Sequence, residues 1–584
     1  MAPLRLGNPA RRINFALMGM AVVLSLYAGR LVQLQGLDSK VFQAKAASNR
    51  VRPEPLPARR GSITDVNGHE LAVTVEARNI VADPSKVPAE QREQVAALLA
   101  PYLGVPKEDI AAKLALARIR YTLLARDVPI GVAKAVLELK IGGKKIPGLS
   151  AVPQYQRLYP GDDLAGGVVG FVGDEGGGLT GIEQTYDKLL GGKDGRQTIE
   201  MGAAGQRIPM TRSTRVEPIA GRGVRLTIDR DVQWAAQQAI ARQVKESGAR
   251  SGSVIVMDVR TGQVLAMANA PEVNLNKWES LPPADLGNRS VSEIFEPGST
   301  NKVITAAAAL EAGAVRPETV FEVKDKYQCA DRLLSDAHPH GPEHLTFTGI
   351  IAESSNVGTL MAAERVGDQA LYNMLRNFGF GAKTGGGFYG EEAGLLPRRE
   401  TWSGSQRCTI AFGQGVSVTA LQMASVYQTI ANGGVRITPQ IVAGTVDQHD
   451  RLVPASPGKR TRVISRRTAG DISRMLEAAV NADGSTGSLA AIKGYRVAGK
   501  TGTAMRYDEN CRGYCGYTAT FVGFTPADAP RLVALAVVQA PEKGHFGGEI
   551  AAPVFKEVMT FALKTRKIPP TGTTAPSVRL STDG

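Results

Sequence analysis

At 584 residues the chain is long enough for two or three folded domains, and 43% hydrophobic with 21% charged residues is the balance of a globular protein, not of a disordered one. The net charge of +14 is spread along the chain with no long Lys/Arg block, which argues against a nucleic-acid arm; it suits an anionic membrane or wall surface and, equally, plain solvation. Four cysteines are a low count. In an exported body a disulfide is permitted; three full pairings exist, so a local Cys511–Cys515 bridge and free thiols both stand.

Arg5, Arg11 and Arg12 precede an apolar run over 13–28 that continues past Gly29-Arg30 into Leu31-Val32-Gln33-Leu34. The run suffices for one membrane span, and the arginines before it place the N-terminus in the cytoplasm. A cleaved signal peptide needs a small-x-small site, and Leu26-Tyr27-Ala28 is a poor one. The expected division is a cytoplasmic tail over 1–10 and a transmembrane anchor over 11–35. A helix over 36–50 would leave the membrane and break at Pro53-Glu54-Pro55-Leu56-Pro57.

Arg60-Gly61-Ser62-Ile63-Thr64-Asp65-Val66-Asn67-Gly68 then predicts a strand, an Asn-Gly turn and a return strand over 71–75. Helical spacing covers 89–102 and 132–139. A glycine-dotted stretch, 166–181, runs into Gly181-Ile182-Glu183; it lacks the strand–turn–helix setting of a dinucleotide fingerprint. Texture changes near Gly221. A strand over 224–228, a helix over 231–245, and a hairpin of 253–259 with 263–268 turning at Arg260-Thr261-Gly262 open a second domain. Helices alternate with loops to about 485. Strands over 495–498, 518–523 and 532–539 and a helix over 552–564 close it. Strands at both ends with helices inserted predict an α+β domain built on one antiparallel sheet. The Pro/Thr/Ser-rich segment 567–584 is expected to be disordered.

Three short strings carry the chemistry: Ser299-Thr300-Asn301-Lys302, Ser354-Ser355-Asn356 and Lys500-Thr501-Gly502-Thr503. Ser299 and Lys302 share a face if a helix begins there. A serine hydroxyl is a poor nucleophile until a base takes its proton. Lys302 can be that base only when neutral, and burial with a second cation, Lys500, lowers its pKa. Lys500, Thr501, Gly502 and Thr503 would bind a substrate carboxylate and an extended peptide at a strand edge. Alone, each string has a plainer reading: Ser456-Pro457-Gly458-Lys459 repeats the first where no helix can form, Lys383-Thr384-Gly385 mimics the third in a loop, and Ser354 could be a helix cap. Gly494 to Thr501 satisfies the P-loop pattern, but the β-like residues lie between its glycines and no helix is expected after Lys500-Thr501. Asp336, His338, His340 and His344 crowd near Cys329; their spacing fits no standard zinc site, and a solvated loop is the expected reading.

In this order, and with the flanks Phe295-Glu296-Pro297-Gly298, Gly413-Gln414-Gly415, Gly547-Gly548 and Ala552-Pro553-Val554-Phe555, the strings resemble the class B penicillin-binding proteins, most of all the FtsI-type septal transpeptidases. Ser in the middle of the second string, in place of Asp, is usual for that class. The resemblance covers about 11–565. It implies a penicillin-binding/serine β-lactamase-like transpeptidase domain over 221–566, after an N-terminal pedestal or dimerisation module over 36–220. It implies acylation of Ser299 by D-Ala-D-Ala stem peptides and by β-lactams. It gives proton shuttling to Ser354, a hold on Lys302 and the substrate amide to Asn356, and an oxyanion hole to the backbone N–H groups of Ser299 and Thr503. No cofactor and no metal is implied. Partners would be stem peptides and lipid-linked precursors, the membrane, a polytopic glycosyltransferase and divisome proteins. A class A β-lactamase is a poorer match: Glu272-Val273-Asn274-Leu275-Asn276 mimics its catalytic glutamate string but precedes the first motif. An idle scaffold or a β-lactam sensor of the same fold is the remaining alternative.

Overall fold

The computed structural model of the protein describes residues 9–37, 51–116, 118–200, 214–482, 485–508 and 511–582. The N-terminal helix Pro9–Val32 runs on through a wider turn, Gln33–Leu37. Its stretch Pro9–Gly36 is long and apolar enough to cross a membrane and buries nothing. Twenty-eight residues at helical rise span about 42 Å, more than a bilayer's hydrocarbon core. Most of the helix expected over 36–50 lies outside the described residues.

Contacts divide the chain into two units, one of residues 1–59 with 192–220 and one of 60–191 with 221–584. In the first, Val51–Leu56 pairs antiparallel with Gly195–Glu200, which pairs with Arg215–Val216. The proline string expected to break a helix is thus an edge strand, where a residue without an N–H is tolerated.

In the second unit one sheet spans the 220/221 boundary. Ile63–Thr64 lies parallel to Gly223–Leu226 within one seven-stranded sheet that also takes in Glu70–Ala82, Thr122–Pro129, Leu149–Leu158 and Val442–Val446. The expected Asn67-Gly68 hairpin is present. Beside it the Glu183 carboxylate, fully buried, accepts from Arg60 Nε at 2.6 Å and from Arg157 Nε at 2.7 Å. The Arg60-Gly61 and Gly181-Ile182-Glu183 strings are two halves of this one ion cluster, and Asp187 adds a further oxygen 2.8 Å from Arg60 Nη1.

The C-terminal body includes, in chain order, α1 (Arg230–Ser247), β1 (Ser251–Asp258), β2 (Val264–Ala270), α2 (Lys302–Glu311), α3 (Phe347–Glu353), α4 (Asn356–Val366), α5 (Ala420–Ala431), α6 (Arg466–Asn481), β3 (Ala498–Asp508), β4 (Gly513–Thr525), β5 (Leu532–Gln539) and α7 (Ala552–Thr565). The sheet order is β2-β1-β5-β4-β3, antiparallel throughout. Val254, Val256, Ala534 and Ala536 face α1 and α7, where Ile240, Phe555 and Val558 meet them. Ile255, Met257, Leu535 and Val537 face the opposite way, into the core shared with α2 and α5. Because both faces are covered, β5 reads Leu-Val-Ala-Leu-Ala-Val-Val-Gln with every residue buried, a continuous run in place of alternation.

Two expectations need correction. The strand expected over 495–498 instead begins at Ala498, so Lys500-Thr501-Gly502-Thr503 lies inside β3. Glycine and threonine at alternate positions hide the strand from hydrophobic patterning, although the sheet depends on them. The 567–582 segment has no helix or extended strand, yet it is held to the body. The Tyr495 hydroxyl donates to the Ile568 carbonyl at 2.7 Å, and Thr346 N donates to the Leu580 carbonyl at 2.8 Å. Val578 and Leu580 pack on Ala352, Ala478 and Ala479 of α3 and α6. A segment too polar for a core of its own is ordered by one it borrows.

Candidate active site

Ser299 sits in a tight 3-10 turn, Gly298–Asn301, that opens α2. Side chains three apart eclipse in such a turn, so Ser299 and Lys302 project from one face. The turn is pinned from several sides. Asn301 Nδ2 donates to the Ile410 carbonyl at 2.9 Å and Thr305 Oγ1 to the Ala411 carbonyl at 2.6 Å. Gly298 N donates to the Gly413 carbonyl at 3.0 Å. Gly413 has φ +88°, and a Cβ there would meet the Gly298 oxygen at 2.2 Å; no other residue fits. Glu296 accepts from Gly415 N at 2.9 Å and from the Tyr514 hydroxyl at 3.0 Å, tying the β3–β4 hairpin to the same turn.

Lys302 is fully buried. Its Nζ donates to Ser354 Oγ at 3.2 Å and to the Ser354 carbonyl. Burial first, then the Lys500 charge, hold its pKa well below the ordinary lysine range, while Asp336 pulls the other way. Ser354 ends α3 in the left-handed region at φ 68°, which turns its hydroxyl and carbonyl back onto Lys302. Ser355 caps α4, accepting from Gly358 N at 2.8 Å. The Asn356 side chain, expected on Lys302, donates instead to the Ser335 carbonyl at 3.0 Å.

Lys500 is also fully buried, with Nζ 3.5 Å from Thr501 Oγ1. It therefore lies buried beside the Thr501 hydroxyl, not as a surface contact for a carboxylate. Burial lowers its pKa to about 7. Thr501 Oγ1 donates to Thr486 Oγ1 at 3.0 Å, and Thr503 Oγ1 accepts from Gly547 N at 3.0 Å. A Cβ on Gly502 would meet Thr520 Oγ1 at 2.2 Å and Thr300 Cγ2 at 3.0 Å; the glycine lets β3 approach the Ser299 turn. β3 ends the sheet, so no strand pairs with its outer edge.

The first, second and third strings thus meet through Lys302, Ser354 and the Gly298–Ala504 approach, where a Gly298 Cβ would lie 3.2 Å from Ala504 Cβ. The decoys fall elsewhere. Lys500 is inside a strand with no helix after it, which ends the P-loop reading. Glu272 accepts from Gly167 N at 2.8 Å and Asn269 N at 3.1 Å, a half-buried acid raised by desolvation to about 7 at the contact with residues 166–169. Cys329 is bonded to Cys408 and Cys511 to Cys515. Thr486 and Asp336 were missed. Neither has a fixed spacing to a motif, and both reach the site only through the fold. Asp336, read as part of a solvated loop, has a side chain only 7% exposed.

A family model for the penicillin-binding protein transpeptidase domain matches residues 252–560, and one for the penicillin-binding protein dimerisation domain matches 55–226. Penicillin-binding protein PbpB of Mycolicibacterium smegmatis is 36% identical, over 94% of this chain and 90% of that protein. Peptidoglycan D,D-transpeptidase FtsI of Escherichia coli K12 is 33% identical, over 95% and 92%. The crystal structure of penicillin-binding protein 3 from Mycobacterium tuberculosis complexed with aztreonam superposes with a TM-score of 0.70 at 33% identity, covering 90% of this chain and all of that one. With the three strings brought together and both modules matched, the chain belongs to the class B penicillin-binding proteins, among the FtsI-type transpeptidases.

Proposed function

We propose that this protein is a membrane-anchored serine D,D-transpeptidase that cross-links peptidoglycan stem peptides through an acyl-enzyme on Ser299, and that β-lactams acylate the same serine. The observation that carries the reading is Lys302: fully buried, depressed in pKa by desolvation and by Lys500, and bonded to Ser354. A neutral amine one 3-10 turn from a serine is the base such chemistry needs.

The donor stem peptide lies along the open edge of β3, its terminal carboxylate at Thr501 and Thr503 above the Lys500 charge. Ser299 Oγ attacks the penultimate D-Ala carbonyl as Lys302 Nζ takes its proton. The backbone N–H groups of Ser299 and Thr503 receive the developing oxyanion. The Ser354 hydroxyl passes the proton from Lys302 to the leaving amine, and D-Ala departs. An acceptor amine then attacks the ester, its proton returns to the Ser299 oxygen, and the cross-link forms. A β-lactam's leaving group stays tethered, so its adduct persists.

The apolar helix over Pro9–Gly36, with Arg11 and Arg12 at its start, supports a single-pass anchor with the N-terminus in the cytoplasm and the body outside. Likeness to the FtsI-named relative supports a place in cell division beside a polytopic glycosyltransferase. The test is intact mass of the full-length chain in detergent after brief exposure to penicillin. A one-to-one adduct on the wild type, absent in Ser299→Ala, is expected. No adduct on the wild type means an idle scaffold, and one lost within seconds means a hydrolase.

A further inference from the structure

Ser354 is a non-glycine residue in the left-handed region, a conformation that persists only when its surroundings over-determine it. Those surroundings converge on Asp336. Its Oδ2 accepts from Ser355 Oγ at 2.7 Å, and its Oδ1 from Val357 N at 3.0 Å and from Asn356 N. A carboxylate thus binds the first N–H groups of α4, where the helix dipole favours it. The neighbouring Ser335 carbonyl takes the Asn356 amide. His340 Nε2 lies 3.1 Å from Asp336 Oδ2, while its Nδ1 lies 2.7 Å from the Gly341 carbonyl. Both ring nitrogens face acceptors, so the imidazolium is the form that can donate to both. Burial works against that charge, but the Gly341 carbonyl and the Asp336 carboxylate outweigh it and hold the His340 pKa above its usual range.

Asp336 follows a hairpin in which Lys326–Cys329 pairs with Arg332–Ser335. Cys329 is bridged to Cys408 in the short helix Gln406–Ala411. That helix presents the Ile410 and Ala411 carbonyls to Asn301 and Thr305. A closed ring results: the Ser299 turn, the 406–411 helix, the disulfide, the hairpin, Asp336, the second motif, Lys302, and back to Ser299. The two motifs are joined on the inside by the Lys302–Ser354 bond and on the outside by the disulfide-bonded hairpin.

We propose that Asp336, on a hairpin clamped by the Cys329–Cys408 disulfide, is a positioning residue that fixes the Ser354–Asn356 turn against Lys302. The proposal rests on the Ser299 acylation reading. Asp336 does not touch the reacting atoms; it acts through Ser355, Asn356 and the strained Ser354. Its charge also reaches Lys302, where it favours the ammonium form. The other charged groups around the pair are Lys500 from β3, His340 and Glu343 from the loop and its following strand, and Glu353 at the end of α3.

The test follows acylation of the full-length chain in detergent by a fluorescent penicillin, resolving the rate at saturation from the apparent dissociation constant, across pH. Asp336→Asn is expected to lower the saturating rate by about tenfold to a hundredfold, as for a misplaced catalytic group, with the dissociation constant little changed. Its acid limb should move to lower pH, because loss of the negative charge lets Lys302 stay neutral there. A lower unfolding temperature with an unchanged saturating rate and an unmoved acid limb overturns the proposal. Should Asp336→Asn not fold, the paired change Cys329→Ser with Cys408→Ser frees the hairpin, and a saturating rate equal to wild type overturns the clamp. Acylation of Ser299→Ala, or none of the wild type, refutes the underlying reading and the inference with it, an outcome distinct from an unaltered Asp336→Asn.

Discussion

Charge is buried in two places in this molecule, and the two are built on opposite rules. In the N-terminal module the Glu183 carboxylate is fully buried but holds Arg60 on one oxygen and Arg157 on the other. In the catalytic body Lys302 and Lys500 are fully buried with no ion-pair partner among the described residues. Pairing lets a charge survive burial and fix a shape; leaving it unpaired shifts its protonation toward neutral. The first device suits a scaffold, the second the base proposed at Lys302. Strongly shifted groups in a cleft mark chemistry for this reason.

The contrast breaks most visibly at Ser299, the proposed nucleophile. Ser299→Ala should abolish the penicillin adduct altogether, read by intact mass. Lys302→Met comes next: acylation should fall by about a hundredfold to ten-thousandfold, the range of a lost general base, while the thermal unfolding midpoint holds or rises. A methionine of similar length needs no water, and removing a buried amine that has no ion pair relieves the fold by roughly 1 kcal/mol or more. A fall in both would mean that Lys302 is structural, as Glu183 is.

Glu183→Gln is the converse. It takes the shared carboxylate from Arg60 and Arg157, leaving Arg60 only Asp187, and breaking a buried ion cluster costs about 3 to 5 kcal/mol. Denaturant unfolding should show that loss, while the folded fraction acylates at the wild-type rate. If acylation fell in proportion, the two regions would not be separable and the contrast would fail.

The sequence made these two regions legible to different depths. Ser299, Lys302 and the Lys500 string are spelled by residue identity at fixed spacing, because a helical turn and a strand edge impose that spacing locally. Arg60 and Glu183 stood out as strings, but their ion pair joins residues 123 apart, which no local period encodes. Asp336 was hidden for the same reason, lying 20 residues before the Asn356 N–H it holds. The Cys329–Cys408 pair is separated by 79 and was one pairing among three. β3 was placed too early because Gly499 and Gly502, needed for close packing, erase the apolar alternation that announces a strand.

Lys500 gives the smallest effect and the sharpest test, since its two consequences run in opposite directions with pH. Burial brings its pKa to about 7, against roughly 10.4 for a lysine in the unfolded chain. Below about 7 both states hold the proton, and this residue adds no pH slope. Between about 7 and roughly 10.4 the unfolded chain holds a proton the folded chain has lost. Stability from this residue therefore climbs as pH rises through that window, by at most about 1.4 kcal/mol per pH unit. A carboxylate ligand selects the opposite form: it binds above a charged Lys500, so affinity of the free protein for a carboxylate-bearing β-lactam should fall as pH rises past about 7. Lys500→Met should flatten both slopes together while lowering affinity at neutral pH by about tenfold, the loss of one charge-assisted interaction. Slopes that fail to move together would assign the pH dependence to another group and leave Lys500 a packing residue with an incidental charge.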